Sequence, residues 1–316
     1  MAFTTLSAEA VREAAARLKG VVNRTPLVRS RKLSELIGGD VFLKLETEQI
    51  TGSFKLRGAY NAIATLPADV RARGVVASSA GNHGLGVAWA ARHFGIPAMI
   101  YVPRTAPRVK RDGISGLGAT VDASEPDYDV AMATAKRVAR ERGLTYINPC
   151  LGDMLLAGQG TVGLEILEDR PDVATIVLPV GGAGLLGGVA SYVRRVRPDV
   201  RIVGTQSVNT NAVAAALDAG RVVPVPVPPT LADGLSGQID DEAFDIARQG
   251  LDQIVTVSER EIAGAIRWLL DNEEIRAEGA AATTVAAMLA VRVTVRPPVA
   301  VILSGRNIDD DRLAQL

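Results

Sequence analysis

Apolar residues recur along this chain in two alternating rhythms. Short unbroken apolar runs, of the kind that form strands buried on both faces, stand at Val41–Leu45, 75–77, 98–102, 119–121, 175–180, 200–204 and Val299–Leu303. Between most of them lie longer stretches with an apolar position every three or four residues. These predict helices over 59–66, 85–94, 106–117, 127–142, 158–168, 185–197 and 209–218. Ser7 is placed to cap a first helix over Ala8–Leu18, and Ser258-Glu259-Arg260-Glu261 reads as a capping box for a helix reaching Leu270. Strand followed by helix, many times over, predicts an α/β protein with parallel-rich sheets covered by helices. The proline-rich run 224–229 breaks the rhythm as an extended surface loop, and neither a repeat nor a low-complexity linker is present.

Composition narrows the class. With 316 residues, 47% of them hydrophobic, the chain can bury a sizeable core, in two lobes. Its 35 basic and 35 acidic residues balance, so no basic face points to nucleic acid or anionic lipid. Cys150 is the single cysteine, which rules out an internal disulfide, fits a reducing cytoplasm, and reads as a small buried hydrophobe. His83 and His93 are the only histidines, too few for a Cys/His zinc site; His93, in an alanine-rich helix, reads as structural. No apolar run reaches the ~18 residues of a membrane span, and residues 1–19 are amphipathic and carry acids, unlike a secretory signal. The expected location is cytoplasmic.

Four segments carry candidate chemistry. Lys55 sits in Thr51-Gly52-Ser53-Phe54-Lys55-Leu56-Arg57-Gly58-Ala59, between a strand and a helix. An amine held there, beside an aromatic ring and small residues, suits covalent work on an aldehyde, because partial burial lowers a lysine's pKa and frees its lone pair. An ordinary surface lysine at a helix start is the alternative. Ser78-Ser79-Ala80-Gly81-Asn82-His83-Gly84 follows a strand, and the next helix points its amino end at that loop, where free N–H groups suit a carboxylate or phosphate. Gly181-Gly182-Ala183-Gly184-Leu185-Leu186-Gly187-Gly188 forms a strand, glycine loop and helix start that can cradle a phosphate with backbone amides. That loop also has the G-x-G-x-x-G spacing of a dinucleotide site. The acid such a site expects about 20 residues on, closing the next strand, is missing at Thr205-Gln206-Ser207, so a phosphate without a ribose fits better. Finally, a buried strand ends in Ser304-Gly305-Arg306-Asn307; its hydroxyl can offer one neutral hydrogen bond to a ring nitrogen, or simply end the strand in a turn.

Together and in this order, the four segments resemble the fold type II pyridoxal-phosphate enzymes, in particular the serine/threonine dehydratase and serine racemase group, over residues 26–307. The resemblance implies a two-lobed, tryptophan synthase β-like architecture. A small lobe, 52–149, would be inserted into a larger cofactor-binding lobe built from 1–51 and 150–316, with pyridoxal 5'-phosphate between them. It implies that Lys55 forms the Schiff base, that Phe54 packs on the cofactor ring and that Asn82 bonds its phenolic oxygen. Gly181, Gly182, Ala183, Gly184 and Leu185 would hold the phosphate, Ser304 would face the pyridine nitrogen, and Ser79, Gly81, Asn82 and His83 would receive the substrate carboxylate. A homodimer acting on a small amino acid is the expected form. The chain stops soon after the Ser304 strand, which implies no carboxy-terminal regulatory domain of the kind biosynthetic threonine dehydratases carry.

Three local choices bear on the reaction. Leu56 follows the lysine where threonine and cysteine synthases usually have aspartate. Ala80 stands where the racemases have a serine able to protonate the second face. Ser304 is a neutral partner for the ring nitrogen, and a neutral pyridine favours loss of a β-leaving group over a long-lived carbanion. The expected activity is L-threonine/L-serine dehydratase, by β-elimination of the hydroxyl to give a 2-keto acid and ammonia. Serine racemase, a dehydratase for a bulkier or osmolyte-derived β-hydroxy amino acid, and a non-catalytic binder of cofactor or amino acid are the alternatives. Arg306 departs from the small residue of most relatives and either faces the ring or is a solvated strand end. Gln206 and Ala212 replace the acids of relatives that bind a stimulating divalent cation, so no metal site is expected. Thr230-Leu231-Ala232-Asp233-Gly234-Leu235 resembles a dehydratase loop bordering the cofactor and Glu278-Gly279-Ala280 the loop-to-helix turn near the ring; Asp233 and Glu278 either tune the site or, as residue type favours, are caps or surface acids.

Overall fold

The computed structural model describes residues 6–316, so the first five residues of the amphipathic 1–19 segment lie outside the described chain. The elements run α1 (Ala8–Leu18), β1 (Leu27–Arg29), α2 (Arg31–Ile37), β2 (Val41–Leu45), α3 (Lys55–Ala64), α4 (Ala68–Arg73), β3 (Val75–Ser78), α5 (Asn82–Phe94), β4 (Ala98–Pro103), α6 (Arg108–Ser115), β5 (Thr120–Glu125), α7 (Tyr128–Arg142) and β6 (Thr145–Tyr146). They continue as α8 (Asp153–Asp169), β7 (Thr175–Pro179), α9 (Gly184–Val196), β8 (Arg201–Ser207), α10 (Ala212–Ala219), α11 (Asp241–Gly250), β9 (Gln253–Val257), α12 (Glu259–Glu273), α13 (Gly279–Leu289), β10 (Val299–Leu303) and α14 (Asp310–Ala314). None of the described helices is long and apolar enough to cross a membrane.

Two sheets result. A six-stranded sheet has the order β1-β2-β10-β7-β8-β9, parallel except for the edge pair β1/β2, and a four-stranded parallel sheet has the order β5-β4-β3-β6. The unbroken apolar runs are explained by burial on both faces: every residue of β2, β7 and β10 is buried. Along β7 and β10 the side chains alternate between two cores. Ile176, Leu178, Ala300 and Ile302 face the core shared with α1, α8, α9 and α11, while Val177, Val301 and Leu303 face the one shared with α2, α12 and α13.

Helix α8 is the spine that places the candidate site. Where it crosses α3, a methyl on Gly158 would lie 2.5 Å from the Arg57 carbonyl oxygen; where it crosses α9, a methyl on Gly188 would lie 2.5 Å from the Gly160 nitrogen. The lysine-bearing helix and the glycine-loop helix are therefore held against one support at backbone-contact distance, which only glycine permits. The predicted rhythm holds, with shifts at helix starts: α3 begins at Lys55, α5 at Asn82 and α8 at Asp153, earlier than the apolar period indicates. Polar and small residues in those first turns add no apolar period. Several elements gave no sequence signal strong enough to predict them, among them β1, α2, β9 and α13. Helix α13 is buried from Gly279 to Met288 and shows no polar stripe to mark it.

Candidate functional site

Lys55 opens α3, half-buried, and its Nζ donates to the Pro149 carbonyl oxygen at 2.6 Å; it lies 5.3 Å from the centre of the Phe54 ring. The Phe54 N–H donates to the Ser304 carbonyl at 3.1 Å, and Ser53 forms an antiparallel bridge with Gly305. The first segment is thus tied to the fourth. Residue 150, next to the carbonyl that holds the lysine, ties it to the third: a methyl on Gly182 would come within 2.6 Å of Cys150 Sγ, and one on Gly184 within 3.0 Å of its Cα. This corrects the reading of Cys150, which is not a buried core residue but a half-buried thiol packed on the glycine loop. The Thr230–Leu235 loop closes on the same turn, since a methyl on Gly181 would meet Leu235 Cα at 3.0 Å. Glu259 holds that loop, accepting from the Leu231 N–H at 2.6 Å and the Thr230 hydroxyl at 2.8 Å.

Helices α3, α5 and α9 all begin at this place, and none has a side-chain cap. In α3 the Arg57 N–H bonds the Phe54 carbonyl and the Gly58 N–H the Gln159 side chain, while the first-turn N–H groups of α5 and α9 are uncapped and open to an acceptor. Ala183 precedes α9 with φ 62°, a left-handed conformation that a non-glycine residue adopts at some cost and that turns the loop amides inward. In the Ser79 loop, the Gly81 N–H donates to Ser79 Oγ at 3.1 Å. The His83 ring turns away, its Nε2 bonded to the Ile147 carbonyl at 2.9 Å, so that Nε2 carries the proton and the buried Nδ1 has no partner. Burial, with the Lys55 charge nearby, pushes its pKa down to about 3, so the ring is neutral.

Asn82 reaches the fourth segment. Its Nδ2 donates to both oxygens of Glu278 at 2.9 and 3.0 Å, and its Oδ1 accepts from Asn307 Nδ2 at 2.7 Å. Asn307 Nδ2 also donates to the Thr51 carbonyl at 2.8 Å. Glu278 is 5% exposed, which overturns its reading as a cap or surface acid: it occupies the N-cap position of α13 but makes no capping bond there, and it points into the site. Burial outweighs the Asn82 bonds and pushes its pKa up to about 7. Asp233 is exposed as expected, bridged to Lys110 at 3.1 Å. Arg306 is exposed, which is the solvated strand end. Gln206 is buried with its amide engaged by the Val180 carbonyl and the Ala214 N–H, a structural bridge.

Under the lysine helix lies a buried ionic network that residue pattern did not reveal. Arg57 is 1% exposed and bonds Glu46 Oε2 at 2.8 Å and Glu165 Oε1 at 2.7 Å; Lys44 Nζ reaches Glu165 Oε2 at 2.6 Å. Burial works against the guanidinium charge, but the two carboxylates outweigh it and raise its pKa. Burial likewise opposes the Glu165 charge, and Arg57 and Lys44 overcome it, holding that carboxyl below its ordinary range. Two positive and two negative groups close on each other two residues from Lys55, which fixes the first turn of α3.

A lysine amine at a strand-to-helix turn, a backbone cradle at an uncapped helix start and a hydroxyl at a neighbouring strand end suit a phosphorylated aldehyde. The buried Ser53 Oγ, which has no partner among the described residues, leaves a polar atom for a bound group to satisfy. Residues 18–305 match the family described as pyridoxal-phosphate dependent enzyme. The chain belongs to that family. It is 45% identical to the L-threonine ammonia-lyase of Thermotoga maritima over 96% of this chain and 76% of that protein. It is 37% identical to the catabolic L-threonine dehydratase of Staphylococcus aureus, over 96% and 90% of the two chains. Among solved structures, maize serine racemase superposes with a TM-score of 0.93 at 32% identity, covering 99% of this chain and 97% of that one. In this pyridoxal-phosphate dependent enzyme, Lys55, the Gly181–Leu185 loop, Asn82 and Ser304 come together from distant parts of the chain, as do Glu278 and Asn307.

Proposed function

We propose that this enzyme is a threonine and serine dehydratase, which removes the β-hydroxyl of the L-amino acid and releases a 2-keto acid and ammonia. The observation that carries the reading is Lys55, whose amine is held 2.6 Å from the Pro149 carbonyl beside three uncapped helix starts. The relatives named for threonine support the substrate. Pyridoxal phosphate, when bound, supplies an electrophilic carbon and an electron sink for charge at Cα. Lys55 would hold that group covalently, and its amine is the base placed to take the Cα proton. The amides of Gly181, Gly182, Ala183, Gly184 and Leu185 hold the phosphate. Phe54 would pack on the ring, Asn82 would bond its phenolic oxygen, and Ser304 would offer the ring nitrogen a neutral hydroxyl. Ser79, Gly81, Asn82 and His83 receive the substrate carboxylate at the start of α5, and orient the Cα–H toward Lys55. Residues 52–149 act as a small lobe over a large lobe of 1–51 and 150–316, in a cytoplasmic homodimer.

Racemisation is the second reading, favoured by the likeness to maize serine racemase. Ala80 weighs against it: between Ser79 and Gly81 it brings a methyl where protonation of the second face needs a hydroxyl. The purified protein, absorbing near ~410–420 nm as a lysine-linked cofactor does, is to be incubated with L-threonine, L-serine, D-serine and L-threo-phenylserine. We expect keto acid from the L-hydroxy amino acids without D-product. Inversion without keto acid would replace the dehydratase by the racemase.

A further inference from the structure

Two buried glutamates in this enzyme have opposite surroundings. Glu165 pairs with two cations, whereas Glu278 forms no ion pair among the described residues: both of its oxygens accept from the Asn82 amide, and its backbone N–H bonds the Gly305 carbonyl at 3.0 Å. Three elements enclose it at close range. A methyl on Gly305 would lie 2.7 Å from Glu278 Oε1, so that position leaves room for the carboxyl, while one on Gly234 would stand 3.9 Å away, in ordinary contact. The charged groups facing it are Lys55 from α3, Lys110 from α6, Asp233 from its loop, and Asp309 and Arg312 from the end of the chain. Neither outer cation serves it, because Lys110 pairs with Asp233 at 3.1 Å and Arg312 lies 3.7 Å from the same carboxylate while bonding the Thr230 carbonyl.

The amide chain fixes orientation without ambiguity. Thr51 offers a carbonyl, so Asn307 must present its NH2 to it, and the same NH2 faces Asn82 Oδ1 at 2.7 Å. Asn82 then has only its own NH2 for Glu278. A cavity of about 10 Å³ lined by Glu278, Lys110, Asp233, Asn307 and Arg312 adjoins the carboxyl. It has room for about one water, a route for proton exchange.

We propose that Glu278 works as a neutral, proton-bearing positioning residue, its proton directed away from the Asn82 NH2 to water in the adjoining cavity, which holds the Asn82 amide toward the site and keeps negative charge away from the neighbourhood of Lys55. This rests on the reading that Lys55 carries pyridoxal phosphate. Burial without a cation already favours the protonated carboxyl, and an anionic phosphate and electron-rich ring nearby favour it further. An ionised Glu278 would repel the charge that proton removal from Cα creates.

The test is infrared difference spectroscopy across the neutral pH range, with and without bound cofactor, on wild type and Glu278→Gln, paired with pH profiles of keto acid formation. We expect the carbonyl stretch of a protonated buried carboxyl in wild type and its absence from Glu278→Gln. That variant, neutral at every pH, should keep kcat within about tenfold and lose the alkaline fall in rate. A wild type without the band overturns the proposal, as does a Glu278→Gln enzyme that is inactive where Glu278→Asp still turns over. A wild type that forms no keto acid would instead sink the dehydratase reading, and the infrared band would still decide the charge of Glu278.

Discussion

The amine of Lys55 rests on the main-chain carbonyl of Pro149 and has no ion pair among the described residues, so it is free to exchange that bond for a covalent one. Lys55→Ala should fold, because the side chain is only half-buried, and should lose both the chromophore and all elimination; absorbance and a keto acid assay check this. A charge decides the rest at this scale. For Glu165 the folded pKa is lowered, so its contribution to stability is present above the ordinary carboxylate range and lost as pH falls through the folded value. For Glu278 the sign reverses. Its folded pKa is raised from 4.5 to about 7, the native state holds a proton that the unfolded chain has released, and stability falls as pH rises across that window. Glu278→Gln should flatten that fall, leaving the variant more stable than wild type above it; denaturation midpoints taken at several pH values measure the difference.

At the scale of elements, the site is a meeting of helix starts with glycine turns, and the turns are fitted to their neighbours. Gly182→Ala should weaken cofactor binding and cost about 1–3 kcal/mol, because its methyl would stand 2.6 Å from Cys150 Sγ. Adding Cys150→Ala removes the sulfur and leaves 3.3 Å to the Cβ, so the double variant should regain most of the loss; a cycle of cofactor affinities and melting temperatures checks the coupling. The glycine loop, the Ser79 loop and the lysine turn were legible because each joins a strand to a helix with residues that a plain turn does not need. Glu278 and Asn307 were reached only as members of segments that resemble the family's, and Arg57 not at all. Their partners stand 196, 225 and 108 positions away in the chain, and residue type alone does not announce them. Helix α13 escaped for a related reason, since burial on every side erases the polar stripe by which helices are recognised.

Across the whole molecule, the ionic network of Arg57, Glu46, Glu165 and Lys44 joins β2, α3 and α8. Arg57→Ala leaves two buried carboxylates short of their partner and should cost about 3–5 kcal/mol of global stability, read from urea unfolding, with cofactor binding falling as α3 loosens. The strand order has a further consequence for how the protein is made. β10 is the last strand to leave the ribosome, yet it lies between β2 and β7 in the middle of its sheet. The four-stranded sheet, contained within residues 75–146, can close on the nascent chain, whereas the larger sheet has a gap at its centre until some 300 residues have been synthesised. During that interval the edges of β2 and β7 are open to pairing with other chains. The interval ends when the segment bearing Ser304, Gly305 and Asn307 arrives, so the same late strand that seals the sheet also completes the site.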